Sequence, residues 1–296
     1  MTDTSEMDRR AELSEFLRNR RARLKPEQAG IQPFGGRRRV PGLRREELAY
    51  LAGMSVDYYI RLEQGKVRNV SEPILEALTR ALSLSEDERA YLRNLVKPSH
   101  RRPVSRPKVL PGLLRLLDMA EGVPAYVVGH RADVLAWNGL ASAVFTDFAA
   151  LSPRDRNWAR MIFLNRSVQA VFADWTSKGR DTVAYLRVQA ASHPGDAELA
   201  ALVGELSVKS DHFRTWWAAH HVRDHARGRK RFIHPLVGEM TLDFECLRPA
   251  DGGDQTLVVY TAEAGAASER ALRLLANWGA DAATGAEAGE PEVGRL

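Results

Sequence analysis

The chain is expected to be multidomain: an all-α, five-helix helix-turn-helix domain followed by an α+β domain built on an antiparallel sheet with helices. Three observations carry this expectation. The stretch Leu48 to Gly65 has the pattern of two short helices around a tight turn, and the excess positive charge is confined to residues 1–106. Beyond a Pro/Arg-rich linker, strand-forming segments appear early and late, with helical segments between them.

In Leu48-Ala49-Tyr50-Leu51-Ala52-Gly53-Met54-Ser55-Val56-Asp57-Tyr58-Tyr59-Ile60-Arg61-Leu62-Glu63-Gln64-Gly65, Ala49 is the small residue where two helices would cross. Gly53 is where the first helix stops and φ can turn positive. Leu48, Leu51, Ala52, Tyr59 and Leu62 supply the apolar seam at helical spacing. Such a pair can place its second helix in a DNA major groove, although ordinary helical hairpins share the spacing.

Charge separates these readings. Residues 1–106 hold 22 Lys and Arg against 15 Asp and Glu; the remainder holds 21 against 23. A segment that meets phosphate would be basic in this way while the rest is not. Arg9, Arg10, Arg18, Arg20, Arg21, Arg23 and Lys25 crowd the first helix, as either a phosphate grip or a solvated face. No apolar run is long enough to span a membrane, and the polar start Met1 to Glu6 has no signal-type apolar core, so the cytoplasm is expected. The single cysteine, Cys246, sits in an apparent strand and reads as a packing residue.

The first domain (1–96) reads as helices over Leu13–Leu24, Arg44–Ala52, Ser55–Gln64, Glu72–Leu82 and a fifth from the Ser85-x-x-Glu88 capping box to Leu95. The long Gly/Pro-rich connection Lys25–Leu43 carries Arg37, Arg38 and Arg39, a basic arm for phosphate or minor groove, or else a loop kept soluble by its charges. Residues 97–111 form the linker, 112–278 the second domain and 279–296, rich in Ala, Gly and Glu, a disordered tail. Within the second domain, strands are expected at Ala125–Gly129, Val134–Trp137, Arg231–Ile233, Glu239–Leu247 and Gln255–Ala262, with helices on one face of the sheet. The helices are placed at Gly112–Ala120, from Asn138, and near Ser167–Thr176, Arg180–Ala191, Ala197–Val208 and Ser210–His220.

Leu48 to Gly65, closing on Leu62-Glu63-Gln64-Gly65, resembles the Xre (lambda-repressor-like) class. The longer string from Val40-Pro41-Gly42-Leu43-Arg44-Arg45-Glu46-Glu47 resembles the MmyB-like transcription regulators of actinobacteria and related bacteria. So do Val123-Pro124-Ala125-Tyr126-Val127-Val128-Gly129, Val134-Leu135-Ala136-Trp137-Asn138, His234-Pro235-Leu236-Val237-Gly238 and Leu257-Val258-Val259-Tyr260. The resemblance covers about Leu13 to Leu275. It implies a DNA-binding domain ahead of a PAS-like ligand-binding domain, with a fatty acid or similar apolar ligand held between sheet and helices.

By that resemblance the base-facing positions of the third helix are Val56, Asp57 and Arg61, with Ile60 or Gln64 as further candidates and Ser55 at its start. Arg61 could fork onto guanine, Asp57 accept from cytosine and Val56 touch a thymine methyl, while Tyr58 reaches toward phosphate. Arg44 and Arg45 open the helix that would anchor to the DNA backbone, and Glu63 is expected to tie helices together. In the second domain Trp137, Phe145, Phe163 and Trp175 are candidate pocket walls, with Arg187 or His234 as polar anchor; each could equally be core. Phe213 to Trp217 is a candidate dimer patch.

His221 and His225 have metal-ligand spacing in the His212–His234 cluster, but the glutamate of a His-Glu-x-x-His site is missing. No catalytic constellation, metal site or cofactor is expected. The reading is a homodimeric regulator, a repressor, of a palindromic double-stranded operator, responding to a small apolar ligand. The alternatives are a ligand-independent DNA-binding protein whose second domain only dimerises, or an enzyme with a metal-dependent second domain.

Overall fold

The computed structural model describes residues 3–31, 42–67, 70–96, 108–220, 226–249 and 254–287. The chain divides into two compact units, Met1–Pro103 with Val183–Asp224 and Val104–Thr182 with His225–Leu296. In chain order the elements are α1 (Asp3–Arg23), α2 (Arg45–Leu51), α3 (Val56–Glu63), α4 (Glu72–Ala81), α5 (Glu86–Val96), α6 (Pro111–Met119), β1 (Ala125–Gly129) and β2 (Val134–Trp137). There follow α7 (Gly139–Phe145), α8 (Trp158–Leu164), α9 (Arg166–Val171), α10 (Trp175–Ser192), α11 (Ala197–Lys209) and α12 (Asp211–Ala218). The chain then forms β3 (Arg227–His234), β4 (Gly238–Leu247), β5 (Gln255–Thr261) and α13 (Ala267–Glu287). Thus α13 continues into the stretch whose composition suggested a tail.

In the first unit Leu13, Phe16 and Leu17 of α1 pack in one core with Leu48, Ala49, Tyr59, Leu62, Leu78 and Tyr91. These are the apolar positions of the expected helices, each buried on its inner side. The local signals work as the sequence suggested. Gly53 takes φ of 62° between α2 and α3, and the Ser55 side chain accepts from the Tyr58 N–H. Ser85 and Glu88 cap α5 reciprocally, at 3.3 and 3.0 Å.

The long connection after α1 returns onto the end of that helix. The Leu43 N–H donates to the Arg21 and Leu24 carbonyls, and Arg21 Nη1 donates to the Leu43 carbonyl at 2.8 Å. The approach is close enough that a Cβ on Gly42 would lie 2.4 Å from the Ala22 carbonyl oxygen.

The later part of α10 together with α11 and α12 also belongs to this unit. Ala191 joins the α1–α5 core, and Asn94 donates to Ser192 at 3.0 Å. Sequence order alone put these residues with the sheet.

The second unit is built on a five-stranded antiparallel sheet in the order β2-β1-β5-β4-β3. This is the α+β, PAS-like arrangement expected from the strand positions. Helices cover both faces, rather than the single face expected. Leu113 and Leu117 of α6 pack with Ala125, Val127 and Leu257, while Tyr126 and Tyr260 meet Phe145 of α7 and Tyr126 meets Trp158 of α8. Burial on both faces explains why β1 is an uninterrupted apolar run.

Two helical expectations change here. The helix read over Ser167–Thr176 breaks at Phe172, which forms an isolated bridge with Phe232, and the Ala173 N–H donates to the Arg231 carbonyl. An additional helix, α8, starts at Asn157. That wholly buried side chain donates to the Arg131 carbonyl and Asp133 and accepts from the Ala159 and Arg160 N–H groups.

Gly42→Ala is expected to force backbone apart where the connection meets α1. A loss of about 1–3 kcal/mol is expected, as for overpacked interiors. Thermal unfolding measures it; an unchanged midpoint would contradict the close approach.

Candidate nucleic-acid interface and ligand site

The geometry of α3 sorts its residues cleanly. Tyr59 and Leu62 are wholly buried. Ser55, Asp57, Arg61 and Gln64 are exposed, while Val56, Tyr58 and Ile60 are half-buried. Val56 and Tyr58 pack partly against the core. Arg44 is exposed at the N-cap of α2, its N–H donating to Glu47 at 2.7 Å. Arg37, Arg38 and Arg39 lie outside the described residues.

Glu63 closes α3 from inside. Its carboxylate is 1% exposed and accepts from Arg21 Nε at 3.1 Å and Nη2 at 2.9 Å. Arg45 Nη2 donates to the same group at 3.2 Å. Burial would raise the carboxyl pKa, but hydrogen bonds from Arg21 and Arg45 and the Arg21 charge outweigh burial and lower it. The buried Tyr59 hydroxyl beside it is pushed well up, by burial first and the Glu63 charge second.

Several arginines of the basic segment already have partners within the unit. Arg21 serves Glu63, Arg20 pairs with Glu88 at 2.5 Å, and Arg23 donates to the Ala219 carbonyl. Arg45, half-exposed, is shared between Glu63 and the surface.

A second network joins α1 and α5 to α10 and α12 within the same unit. Glu12 accepts from the Tyr91 hydroxyl and from Arg187 Nη1. Arg187 is 1% exposed, donates through Nη2 to the Trp217 carbonyl and lies 4.2 Å from the centre of the Trp217 ring. His220 Nε2 is 2.9 Å from Glu15 and 3.6 Å from Glu12. Burial would raise the Glu12 pKa; the pull of His220, Arg187 and Tyr91 brings it down to about 2. Glu12, Glu15 and His220 come close enough to surround an ion, but the Arg187 guanidinium already occupies the Glu12 oxygen. His221 and His225 lie outside the described residues.

In the second unit the aromatic rings converge on one face of the sheet. Phe145 meets Trp158 at 5.4 Å, Tyr260 at 5.1 Å and Phe232 at 5.7 Å between ring centres. Phe172 stands 5.3 Å from Phe232, and Tyr126 5.1 Å from Trp158. Trp137 reaches this group through Phe148 and carries Arg156 on its other contact, at 4.7 Å. Phe163 pairs edge-on with Trp175, whose indole donates to the Ile162 carbonyl.

The two polar anchors expected from the sequence are engaged elsewhere. Arg187 belongs to the first unit. His234 is buried, with Nε2 2.9 Å from the Ala143 carbonyl and Nδ1 accepting from the Leu236 N–H. These bonds fix the neutral tautomer with the proton on Nε2. Lys178, which the sequence did not single out, instead places its ammonium over Trp158 and Phe172, at 5.2 and 5.6 Å. A lysine on a mixed helix face gives no signal of this in sequence.

A helix-turn-helix unit with an exposed α3, joined to an α+β unit with an aromatic interior, defines the class of two-domain DNA-binding proteins with a sensor-like partner domain. Residues 109–275 match the MmyB-like transcription regulator ligand binding domain and residues 12–92 a helix-turn-helix domain, and the chain belongs to the MmyB-like transcription regulators. No curated protein matches it. It is a DNA-binding transcription regulator with a ligand-binding domain, an architecture distinct from enzyme families. No helix among the described residues is long and apolar enough to cross a membrane.

Glu63→Ala would leave Arg21 without its carboxylate. A destabilisation of about 3–5 kcal/mol is expected, as for a buried pair losing one partner. Urea unfolding measures it; a loss under about 1 kcal/mol, typical of surface pairs, would remove Glu63 from the framework.

Proposed function

We propose that this regulator is a homodimeric repressor that binds a palindromic operator and is released or retained by a small apolar ligand, a fatty acid or close relative. The exposure of Asp57, Arg61 and Gln64 on a helix whose Tyr59 and Leu62 are buried is the observation that carries the DNA half. Arg61 reads a base, Asp57 and Gln64 assist it, and Ser55, Val56, Tyr58 and Ile60 shape the entering helix end. Arg44 and the outer side of Arg45 hold the backbone, with Arg37, Arg38 and Arg39 as a further basic arm. A twofold operator follows from the general habit of helix-turn-helix proteins of reading half-sites as dimers.

The aromatic interior of the second unit supports an apolar ligand. Trp137, Phe145, Phe163 and Trp175 are its proposed walls. Functionally, 1–96 reads DNA with Val183–Asp224 packed into the same unit, 97–111 connects, and the rest of 112–278 senses. The helix α10 contributes Trp175 to the sensing unit and Arg187 to the DNA-reading one. A ligand that shifts the first turns of α10 would therefore act on the Glu12–Arg187 pair, provided it binds the two states with different affinity.

The test uses full-length protein and an operator selected from random duplexes. Arg61→Ala is expected to cost about 1–3 kcal/mol and to relax one base position; equal loss on all sequences would make Arg61 a phosphate contact. An apolar molecule extracted from the protein and identified by mass spectrometry is expected to change operator affinity when added back. No extractable ligand and no melting shift across a fatty-acid panel would sink the sensing role.

A further inference from the structure

We propose that Glu12, Glu15 and His220 form a binding site for a divalent metal ion of the zinc type, which pins the end of α12 to α1. All three residues belong to the unit that carries α3.

The ring of His220 carries the argument. The residue is 4% exposed and follows α12 with a left-handed φ of 51°. Its Nδ1 lies 2.9 Å from the Ala218 carbonyl, which can only accept. Nδ1 therefore holds a proton, and the neutral ring presents a lone pair at Nε2. That Nε2 is buried and has no hydrogen-bond partner among the described residues. Yet it stands 2.9 Å from Glu15 Oε2 and 3.6 Å from Glu12 Oε1. Lone pairs brought so close repel unless a cation lies between them. A proton on Nε2 would point along a hydrogen bond to Glu15, and the contact lacks that geometry. A metal ion sits off the line joining its ligands and needs no such alignment.

The spacing suits zinc. With bonds of about 2.0–2.1 Å to nitrogen and oxygen, neighbouring ligand atoms of a tetrahedron lie about 3.3 Å apart. The two distances from Nε2 fall on either side of that value. All three residues offer ligand atoms within 4.8 Å of one another. Glu12 and Glu15 lie three residues apart on α1 and so share a face of the helix. Water would complete the coordination, as in other zinc sites with three protein ligands.

Arg187 leaves room for the ion. The hydrogen bonds that Glu12 accepts from Tyr91 and Arg187 both fall on Oε1, and among the described residues none falls on Oε2. A carboxylate has lone pairs on both oxygens. Such donors to a carboxylate, and a carbonyl that accepts from the far side of an imidazole, are the outer partners that orient metal ligands. One guanidinium offsets one carboxylate, and Glu15 supplies the charge that a divalent ion would meet. The bound ion would link α1 to α12 beside the Arg187 bridge and brace the core on which α3 packs.

The experiment titrates the full chain, stripped of metal by a chelator, with Zn²⁺ and with Mg²⁺ as the hard-cation control. Calorimetry and thermal shift read binding. Zn²⁺ is expected to bind at one site and to raise the unfolding midpoint by several degrees, and Mg²⁺ to do neither. Glu15→Gln and His220→Gln should each weaken Zn²⁺ by about tenfold or more. A chain carrying both His221→Gln and His225→Gln should bind as the wild type does. Co²⁺ in place of zinc should give the visible bands of a nitrogen and oxygen site without the thiolate absorption that Cys246 would add. If His220→Gln fails to fold, Glu15→Gln decides, since that side chain is 56% exposed. No Zn²⁺ binding, or binding that survives Glu15→Gln and His220→Gln, would overturn the site. Loss of binding on changing His221 and His225 alone would place the ion elsewhere and overturn it equally.

Discussion

A buried carboxylate at the end of the reading helix is the constraint on which the first unit depends. The helix α3 has eight residues, too few to be stable alone, so tertiary contacts decide where it points. Glu63 stands in its last turn, where the helix dipole disfavours negative charge. Only the arginines from α1 and α2 make that position favourable, and they do so by tying three helices to one pair of oxygens. The buried Tyr59 and Leu62 supply the attraction to the core; Glu63 supplies the direction. Any outward residue of α3 is presented by this arrangement.

The same network changes the meaning of the basic first hundred residues. Composition counts Arg20, Arg21, Arg23 and Arg45 as positive charge available to DNA, yet each has a partner inside the unit. Arg61 and Arg44 remain outward. A charge excess therefore marks a segment without showing which of its arginines face outward. Which guanidinium meets which carboxylate is a long-range property, and Arg21 and Glu63 are far apart in sequence.

Local chemistry was legible for the same reason that long-range pairing was not. Ser55, Ser85 with Glu88, Asn138 and Gly53 act within a few residues of themselves, so α3, α5 and α7 begin and α2 ends close to where the sequence marked them. By contrast, α1 begins at Asp3, well before the expected Leu13. The five strands were readable from alternating or continuous apolar runs. The helix α8 was hidden because its cap, Asn157, takes half its bonds from Arg131 and Asp133, residues on another segment. The packing of Val183–Asp224 with the first unit was hidden likewise, since Glu12 and Arg187 meet only in the fold. Reading Arg187 as a ligand anchor followed from its place in sequence order beside the sensor helices.

Within α10, two cations differ in how far the fold satisfies them. Arg187 is deeper and meets a carboxylate, a carbonyl and an indole face, contacts that make a buried guanidinium tolerable and hold neighbouring helices. Lys178 rests on two rings without an acceptor, beside an indole whose own donor is unmet. A fold gains no rigidity from donors it leaves unpaired, and burial makes them costly. A structural lysine at that position would be replaceable by an apolar residue with some gain in stability. Arg187 by contrast belongs to the scaffold that ties α1, α10 and α12 together.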